Sequence, residues 1–181
     1  MMHLERMRPE DFDTVCRLLA QSFPAGERRD AAGQRALLAD RAYRIDILRA
    51  PSGGVQALMA SWDFDSFVFF EHFAVDLACR GGGLGGQMLD ALLSRFAKPA
   101  CLEAELPETE LAARRIGFYE RHGFTVNAAY PYRQPALTPG GSPIPMYLLT
   151  TDGARTASEL RAIEALLHTR VYGCPPADTM E

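Results

Sequence analysis

A run of five glycines within seven residues constrains this chain most strongly: residues 80–86 are Arg-Gly-Gly-Gly-Leu-Gly-Gly. The run follows an apolar, strand-like segment, residues 67–75, and precedes apolar residues at helical spacing that end near Phe96. Glycines at a strand-to-helix turn leave backbone N–H groups uncovered, and these groups carry the positive end of the helix dipole. The run therefore predicts a phosphate-binding turn, to which Arg80 adds a full positive charge.

Length and composition indicate one globular domain with a core of its own, because 181 residues are 48% hydrophobic and 23% charged. The net charge of -4 argues against general nucleic-acid binding, so phosphate binding must be local. No apolar stretch reaches the ~18 residues of a membrane span. The four cysteines have neither CxxC spacing nor a histidine pair nearby, so we expect no metal, no disulfide framework and a cytoplasmic location.

Apolar periodicity predicts alternating strands and helices in the first 150 residues. Strands are predicted at residues 3–7, 43–48, 55–64, 67–75, 101–106, 124–128 and 146–150. Helices are predicted from Pro9, at residues 31–42, after the glycine run, and at residues 108–122. Residues 130–145 are rich in proline and glycine, which predicts a long irregular connection.

Residues 151–181 are predicted to form a separate C-terminal extension of the domain formed by residues 1–150. Thr156 and Glu159 have the spacing of a capping box, and the helix that follows has one apolar face. That face must pack on the domain or on another chain, which leaves a homodimer possible. Residues from Cys174 onward are predicted to be loose.

The glycine run has two interpretations. Gly81-x-Gly83-x-x-Gly86 satisfies the dinucleotide-binding pattern, and Glu103 follows at about 20 residues, as that fold requires. Against it, residues 76–80 separate the strand from the first glycine, several strands precede the unit, and little chain remains for further parallel strands. An oxidoreductase is therefore the weaker alternative.

The other frame is Arg80-x-x-Gly83-x-Gly85, preceded by Glu-His-Phe-Ala-Val at 71–75 and followed by Phe-Tyr-Glu-Arg-His-Gly-Phe at 118–124. With these motifs the chain resembles the GNAT (Gcn5-related) N-acetyltransferases. The resemblance implies an α/β (α+β) fold with a mixed, mostly antiparallel, splayed sheet flanked by helices, here with an extra C-terminal helix. It also implies that acetyl-CoA lies where the sheet splays, between the strand ending at Val75 and the strand near Leu102.

The resemblance implies a set of cofactor-binding residues. The CoA pyrophosphate is expected on the backbone of Gly81, Gly82, Gly83, Leu84, Gly85 and Gly86, with Arg80 beside it. The main chain of Phe73 and Val75 is expected to pair with the pantetheine amides, as an added strand would. The family often has an asparagine that contacts the cofactor at the position of Ala112, and an alanine at the position of Arg115. Arg115 is the candidate to replace the cofactor contact of the missing asparagine.

The resemblance also implies two catalytic residues. Tyr119 is the expected general acid for the CoA thiolate, and its spacing from Ala112 and Ile116 points its ring inward. Strand alternation puts Glu71 on the same face as Phe73 and Val75. We therefore expect a desolvated carboxylate whose pKa is raised towards neutral pH, as a general base requires. The same alternation turns His72 to the other face, and we assign it no role.

The predicted reaction is acetyl transfer from acetyl-CoA to a primary amine of a small molecule, amino acid or peptide, by direct attack in a ternary complex. Asp63 and Asp65 are candidates to hold a cationic amine, and Tyr130, Tyr132 and Arg133 are candidates to line or cover the acceptor pocket. Arg28, Arg29 and Arg133 would instead favour an acceptor with a carboxylate. A CoA-binding sensor module without turnover is the main alternative.

Overall fold

The computed structural model describes residues 4–174 of the chain. It divides into two compact units, Met1–Ala100 and Cys101–Glu181. The segment after Cys174, predicted to be loose, lies outside the described residues, as does His3 in the first predicted strand. Each unit combines antiparallel strands with helices.

The first unit contains the glycine run and a sheet in which β1, β2, β3 and β4 follow one another in chain order. These strands are β1 (Leu4–Arg6), β2 (Tyr43–Arg49), β3 (Val55–Asp63) and β4 (Val68–Val75). Its helices are α1 (Phe12–Ser22), α2 (Ala31–Leu37) and α3 (Leu84–Phe96). Helix α2 is shorter than predicted: Asp30 caps its start through the Gly33 N–H, but after Leu37 the chain continues in tight turns.

A β-bulge interrupts β4 at Glu71. Ala60 pairs with His72 and Ser61 pairs with Phe70, so Glu71 has no residue opposite it on β3. A bulge breaks the alternation of side chains between the two faces of a strand. The predicted orientation is therefore wrong for Glu71: it faces the segment between α1 and α2 together with His72, whereas Phe73 faces α3.

The second unit is built around its last strand. Its strands are β5 (Ala100–Glu105), β6 (Thr125–Val126), β7 (Arg133–Gln134) and β8 (Ile144–Thr150), and its first helix is α4 (Glu110–Arg121). Strand β8 pairs with β5, β6 and β7. The prediction of an irregular connection at 130–145 is thus wrong at β7, which forms because Arg133 and Gln134 pair with the start of β8.

The C-terminal helix packs on its own unit. Helix α5 (Ala157–Leu166) begins with the predicted capping box and continues into a π-helical turn, Leu167–Val171. Leu160, Leu167 and Val171 are buried. The Tyr172 hydroxyl donates to Glu103 on β5 at 2.5 Å, and this hydrogen bond connects the C-terminal extension to the strands of its unit.

Replacing Leu167 by alanine is expected to destabilise the protein by about 2–5 kcal/mol, because a fully buried leucine would leave a cavity in this unit. Leu166→Ala is the matched control, since the neighbouring leucine is only half-buried. Urea unfolding of both variants measures the difference. Equal midpoints would mean that the tail does not contribute to the core of its unit.

Candidate active site

The N-terminus of α3 has the features of an anion-binding site. Its N-cap is Gly83, with a positive φ of 73°, and no side chain caps the helix. Gly81 also has a positive φ, 88°, which residues with a side chain rarely adopt. The first four N–H groups of a helix lack partners inside it, so residues 83–86 present uncapped donors at the positive end of the dipole.

Three of the predicted cofactor residues lie against this turn. A Cβ at Gly85 would lie 3.3 Å from Val75 and 3.4 Å from the Phe73 ring, so glycine lets α3 approach β4 closely. The Arg80 Nε donates to the Val75 carbonyl at 2.9 Å and holds this arginine beside the end of β4. Gly82 differs from Gly85, because nothing lies within 4 Å of the position that a Cβ at Gly82 would take.

Glu71 lies in a polar cluster that the sequence did not predict. Its Oε1 is 2.5 Å from the Arg29 guanidinium, and its Oε2 accepts a hydrogen bond from the Trp62 indole at 2.9 Å. The Glu71 side chain is only 1% exposed and that of Arg29 is 11% exposed. The expectation of a carboxylate among apolar neighbours is therefore wrong: Glu71 is an ion-paired carboxylate beneath the segment that carries Arg29.

In the second unit, Tyr119 is one of three buried residues of α4, together with Ala112 and Ile116, as their spacing predicted. Burial raises the pKa of Tyr119 to about 12, although the positive charge of Arg115 acts in the opposite direction. Among the described residues, no hydrogen bond joins the Tyr119 hydroxyl to another group. The phenol is thus protonated at neutral pH and has no acceptor committed to it.

The other predicted cofactor residue of α4, Arg115, pairs with Glu105. Its Nη1 lies 3.0 Å from Glu105 Oε2, and both side chains are 39% exposed. An exposed ion pair of this kind is weak, so Arg115 remains able to exchange Glu105 for another anion.

The residues suggested as acceptor contacts mostly have partners inside their own unit. Asp63 pairs with Lys98, Tyr130 donates to Glu164, and Tyr132 donates to Glu103. Arg28 and Arg133 donate to backbone carbonyls, those of Phe23 and Pro143. The Glu71–Arg29 ion pair, by contrast, joins a predicted catalytic residue to a predicted acceptor residue.

Glu103, the acidic residue of the dinucleotide interpretation, is also engaged within the chain. Its carboxylate accepts hydrogen bonds from Tyr132, from Tyr172 and from the Gln134 amide. A carboxylate with three internal donors is poorly placed to bind a ribose hydroxyl. Within residues 4–174, no group of three or more potential ligands for a metal is found, and no helix is long and apolar enough to cross a membrane.

Taken unit by unit, these features define an α/β protein with a glycine-lined helix N-terminus that no side chain caps, a buried carboxylate and a buried phenol. Comparison with known proteins identifies the family. A family model described as "Acetyltransferase (GNAT) domain" matches residues 41–126. A solved structure from Bacteroides thetaiotaomicron, described as an acetyltransferase of the GNAT family, has 34% identity and a TM-score of 0.85, and the match covers 96% of this chain and 99% of that one.

Two further relatives agree. The Bacillus subtilis protein described as acetyltransferase YjbC is 31% identical over 153 residues, which are 83% of this chain and 76% of that protein. Spermidine N-acetyltransferase from Vibrio cholerae, solved with CoA and spermine, has a TM-score of 0.64 at 10% identity and covers 82% of this chain and 94% of its own. At that identity the second match concerns the fold alone.

The chain belongs to the GNAT acetyltransferase family. The predicted mixed α/β fold, an open sheet flanked by helices, is confirmed by the match to the GNAT structure from Bacteroides thetaiotaomicron. Family membership also decides against the dinucleotide-dependent oxidoreductase. The roles predicted for individual site residues stay predictions.

Proposed function

We propose that the protein transfers the acetyl group of acetyl-CoA to a primary amine by direct attack within a ternary complex. The observation that carries the proposal is the uncapped, glycine-lined N-terminus of α3. In this proposal the CoA pyrophosphate accepts hydrogen bonds from the backbone of residues 81–86, and Arg80 adds charge from the end of β4. The exposed Arg115 supplies a second cationic contact.

Phe73 and Val75 are proposed to pair with the pantetheine amides through their main chain. Val75 already binds Arg80 through its carbonyl, which has a second lone pair for another donor. Gly85 packs on the side chains of Phe73 and Val75. This packing supports the placement, since it fixes the distance between the end of β4 and the glycine turn at the start of α3.

Glu71 is proposed as the group that removes a proton from the acceptor ammonium. Its Oε1 binds a guanidinium in this structure, which is evidence that the site suits a cation. We propose that the acceptor ammonium takes the place of Arg29 on this oxygen, while Trp62 continues to hold Oε2. A cationic amine also fits the Vibrio cholerae relative, whose described substrate is spermidine.

Tyr119 is proposed to protonate the sulfur that leaves. A phenol whose pKa is about 12 keeps its proton throughout the range in which an amine can be deprotonated for attack. The C–N bond forms as the C–S bond breaks, and Tyr119 recovers a proton that the nitrogen loses. The net products are the amide, CoA thiol and one proton.

Thermal stabilisation of the protein by CoA, acetyl-CoA and NADH tests the first part of the proposal, which is that the protein binds CoA. We expect a rise in the unfolding temperature with both CoA compounds and none with NADH, because only a ligand that binds the native state stabilises it. Stabilisation by NADH without stabilisation by CoA would contradict the proposal.

Release of free thiol across a panel of amines, amino acids and peptides then tests turnover. We expect cationic small amines, including polyamines, to give the highest rates. Binding of CoA without thiol release from any acceptor in the panel would favour the sensor module instead.

A further inference from the structure

His72 has an unsatisfied nitrogen that faces Glu71. The imidazole is 3% exposed, and its Nε2 lies 2.8 Å from the Glu27 carbonyl oxygen. A carbonyl only accepts, so Nε2 must carry a proton, and in the neutral ring Nδ1 carries a lone pair. Among the described residues Nδ1 has no hydrogen-bond partner, and it lies 4.0 Å from Glu71 Oε2. Two acceptors therefore face each other without a proton between them.

The groups around this pair come from the segment between α1 and α2 and from strands β2 and β3. Arg29, from the segment before α2, pairs with Glu71 Oε1, and Trp62 of β3 donates to Oε2. Directly after α1, the uncharged Phe23 ring meets the imidazole edge-on, with the ring centroids 4.7 Å apart. Tyr43 of β2 lies within electrostatic reach of Glu71, Arg29 and Cys16. The Glu71 carboxylate lies 4.0 Å from Nδ1 and can bond an imidazolium through Oε2.

We infer that His72 is a positioning residue that holds, on Nδ1, the proton that Glu71 removes from the acceptor. The inference rests on the proposed function. An N–H bond of the ammonium breaks and its proton bonds Glu71 Oε1. The carboxyl group then turns so that this O–H faces Nδ1, where the O–H bond breaks and an N–H bond forms. The resulting imidazolium donates to the Glu71 carboxylate, which is an anion again. The neutral amine then attacks the thioester, and His72 releases the proton to water after the product leaves.

A purely structural role is the alternative, because the Nε2–H bond to Glu27 also ties the segment between α1 and α2 to β4. The two roles make different demands on the ring. Anchoring needs a donor at Nε2, whereas proton storage needs a basic Nδ1. His72→Gln separates them, because a glutamine amide N–H reaches the Glu27 carbonyl but cannot be protonated near neutral pH.

Nitrogen-15 NMR of histidine-labelled full-length protein tests the pair without requiring turnover. The His72 signals are assigned by their loss in His72→Gln, and each ring nitrogen is followed from pH 5 to pH 9. We expect the Nε2–H tautomer at high pH and protonation at Nδ1 as the pH falls. In Glu71→Gln the Nδ1 resonance of the protonated ring should differ from that of the wild type, because the imidazolium no longer donates to a carboxylate.

Three NMR results would overturn the inference: an Nδ1–H tautomer, a ring that stays neutral down to pH 5, or an Nδ1 resonance of the protonated ring that Glu71→Gln leaves unchanged. Because these measurements need no acceptor, they remain informative if no amine is acetylated. Failure of the thiol-release assay alone would count against the proposed function and not against the proton-holding pair.

Where turnover is found, the pH dependence of kcat/KM supplies the second readout. His72→Gln should lower kcat about 10-fold near neutral pH and shift the acidic limb of the profile, with an unfolding temperature close to that of the wild type. An unchanged rate and profile in this folded variant would leave His72 with its anchoring role only.

Discussion

Gly82→Asp is expected to weaken CoA binding by about 1,000-fold without unfolding the protein. The space around Gly82 is open, so the new side chain meets no atom that must move. Its carboxylate would lie among the N–H groups that are proposed to hold the pyrophosphate. Two unit charges about 4 Å apart near a protein surface repel by about 4 kcal/mol, and about 1.4 kcal/mol corresponds to a tenfold change in affinity.

Gly82→Asn is the matched control, because asparagine has nearly the same shape without the charge. Isothermal titration with CoA should give a large loss for aspartate and a small one for asparagine, and the difference should shrink at high salt. The unfolding temperature of the ligand-free aspartate variant should equal or exceed that of the wild type, since a negative charge stabilises a helix N-terminus. Equal CoA affinities for the two variants would mean that the pyrophosphate binds elsewhere.

Features that depend on local sequence could be predicted well. The glycine run predicted the turn and a helix after it, and α3 begins inside the run at Leu84, directly after the positive φ of Gly83. The spacing of Thr156 and Glu159 gave the start of α5 at Ala157. In both cases the physical cause lies within a few residues of the feature.

Features that depend on pairing with a distant segment could not. The bulge at Glu71 shifts the β4 register against β3, and strict alternation then assigns Glu71 to the face of Phe73 instead of that of His72. A signal was present, because two adjacent polar residues in an otherwise apolar strand are difficult to bury on opposite faces of a central sheet. The partner of Glu71 could not be identified, since Arg29 is 42 positions away in the chain.

Strand β7 was missed for the same reason. Two residues in a proline-rich and glycine-rich stretch carry no periodicity, and they become a strand only because β8 lies beside them. Composition predicted an irregular connection correctly on average, but not at Arg133 and Gln134.

Tyr119→Phe is expected to lower kcat by about 10²–10⁴-fold while leaving the fold unchanged. The hydroxyl has no hydrogen-bond partner among the described residues, so its removal breaks no bond in the ligand-free protein. Removing a buried hydroxyl without a partner is neutral or stabilising. The KM for the amine should change little, because the proposed contact forms only as the sulfur leaves.

Tyr172→Phe is the matched control, because this hydroxyl is used inside the second unit: it donates to Glu103 and accepts from the Gln134 amide at 2.8 Å. The control should lose about 1 kcal/mol of stability and keep its kcat, which is the reverse of the pattern expected for Tyr119→Phe.

The pH profile of the wild-type enzyme adds a further check on Tyr119. With a pKa of about 12, Tyr119 stays protonated up to about pH 10, so the wild-type rate should not fall between pH 8 and about pH 10 through loss of this acid. A Tyr119→Phe enzyme with wild-type kcat would show that the leaving thiolate does not need the phenol's proton, and the general acid would have to be sought among other groups or in water.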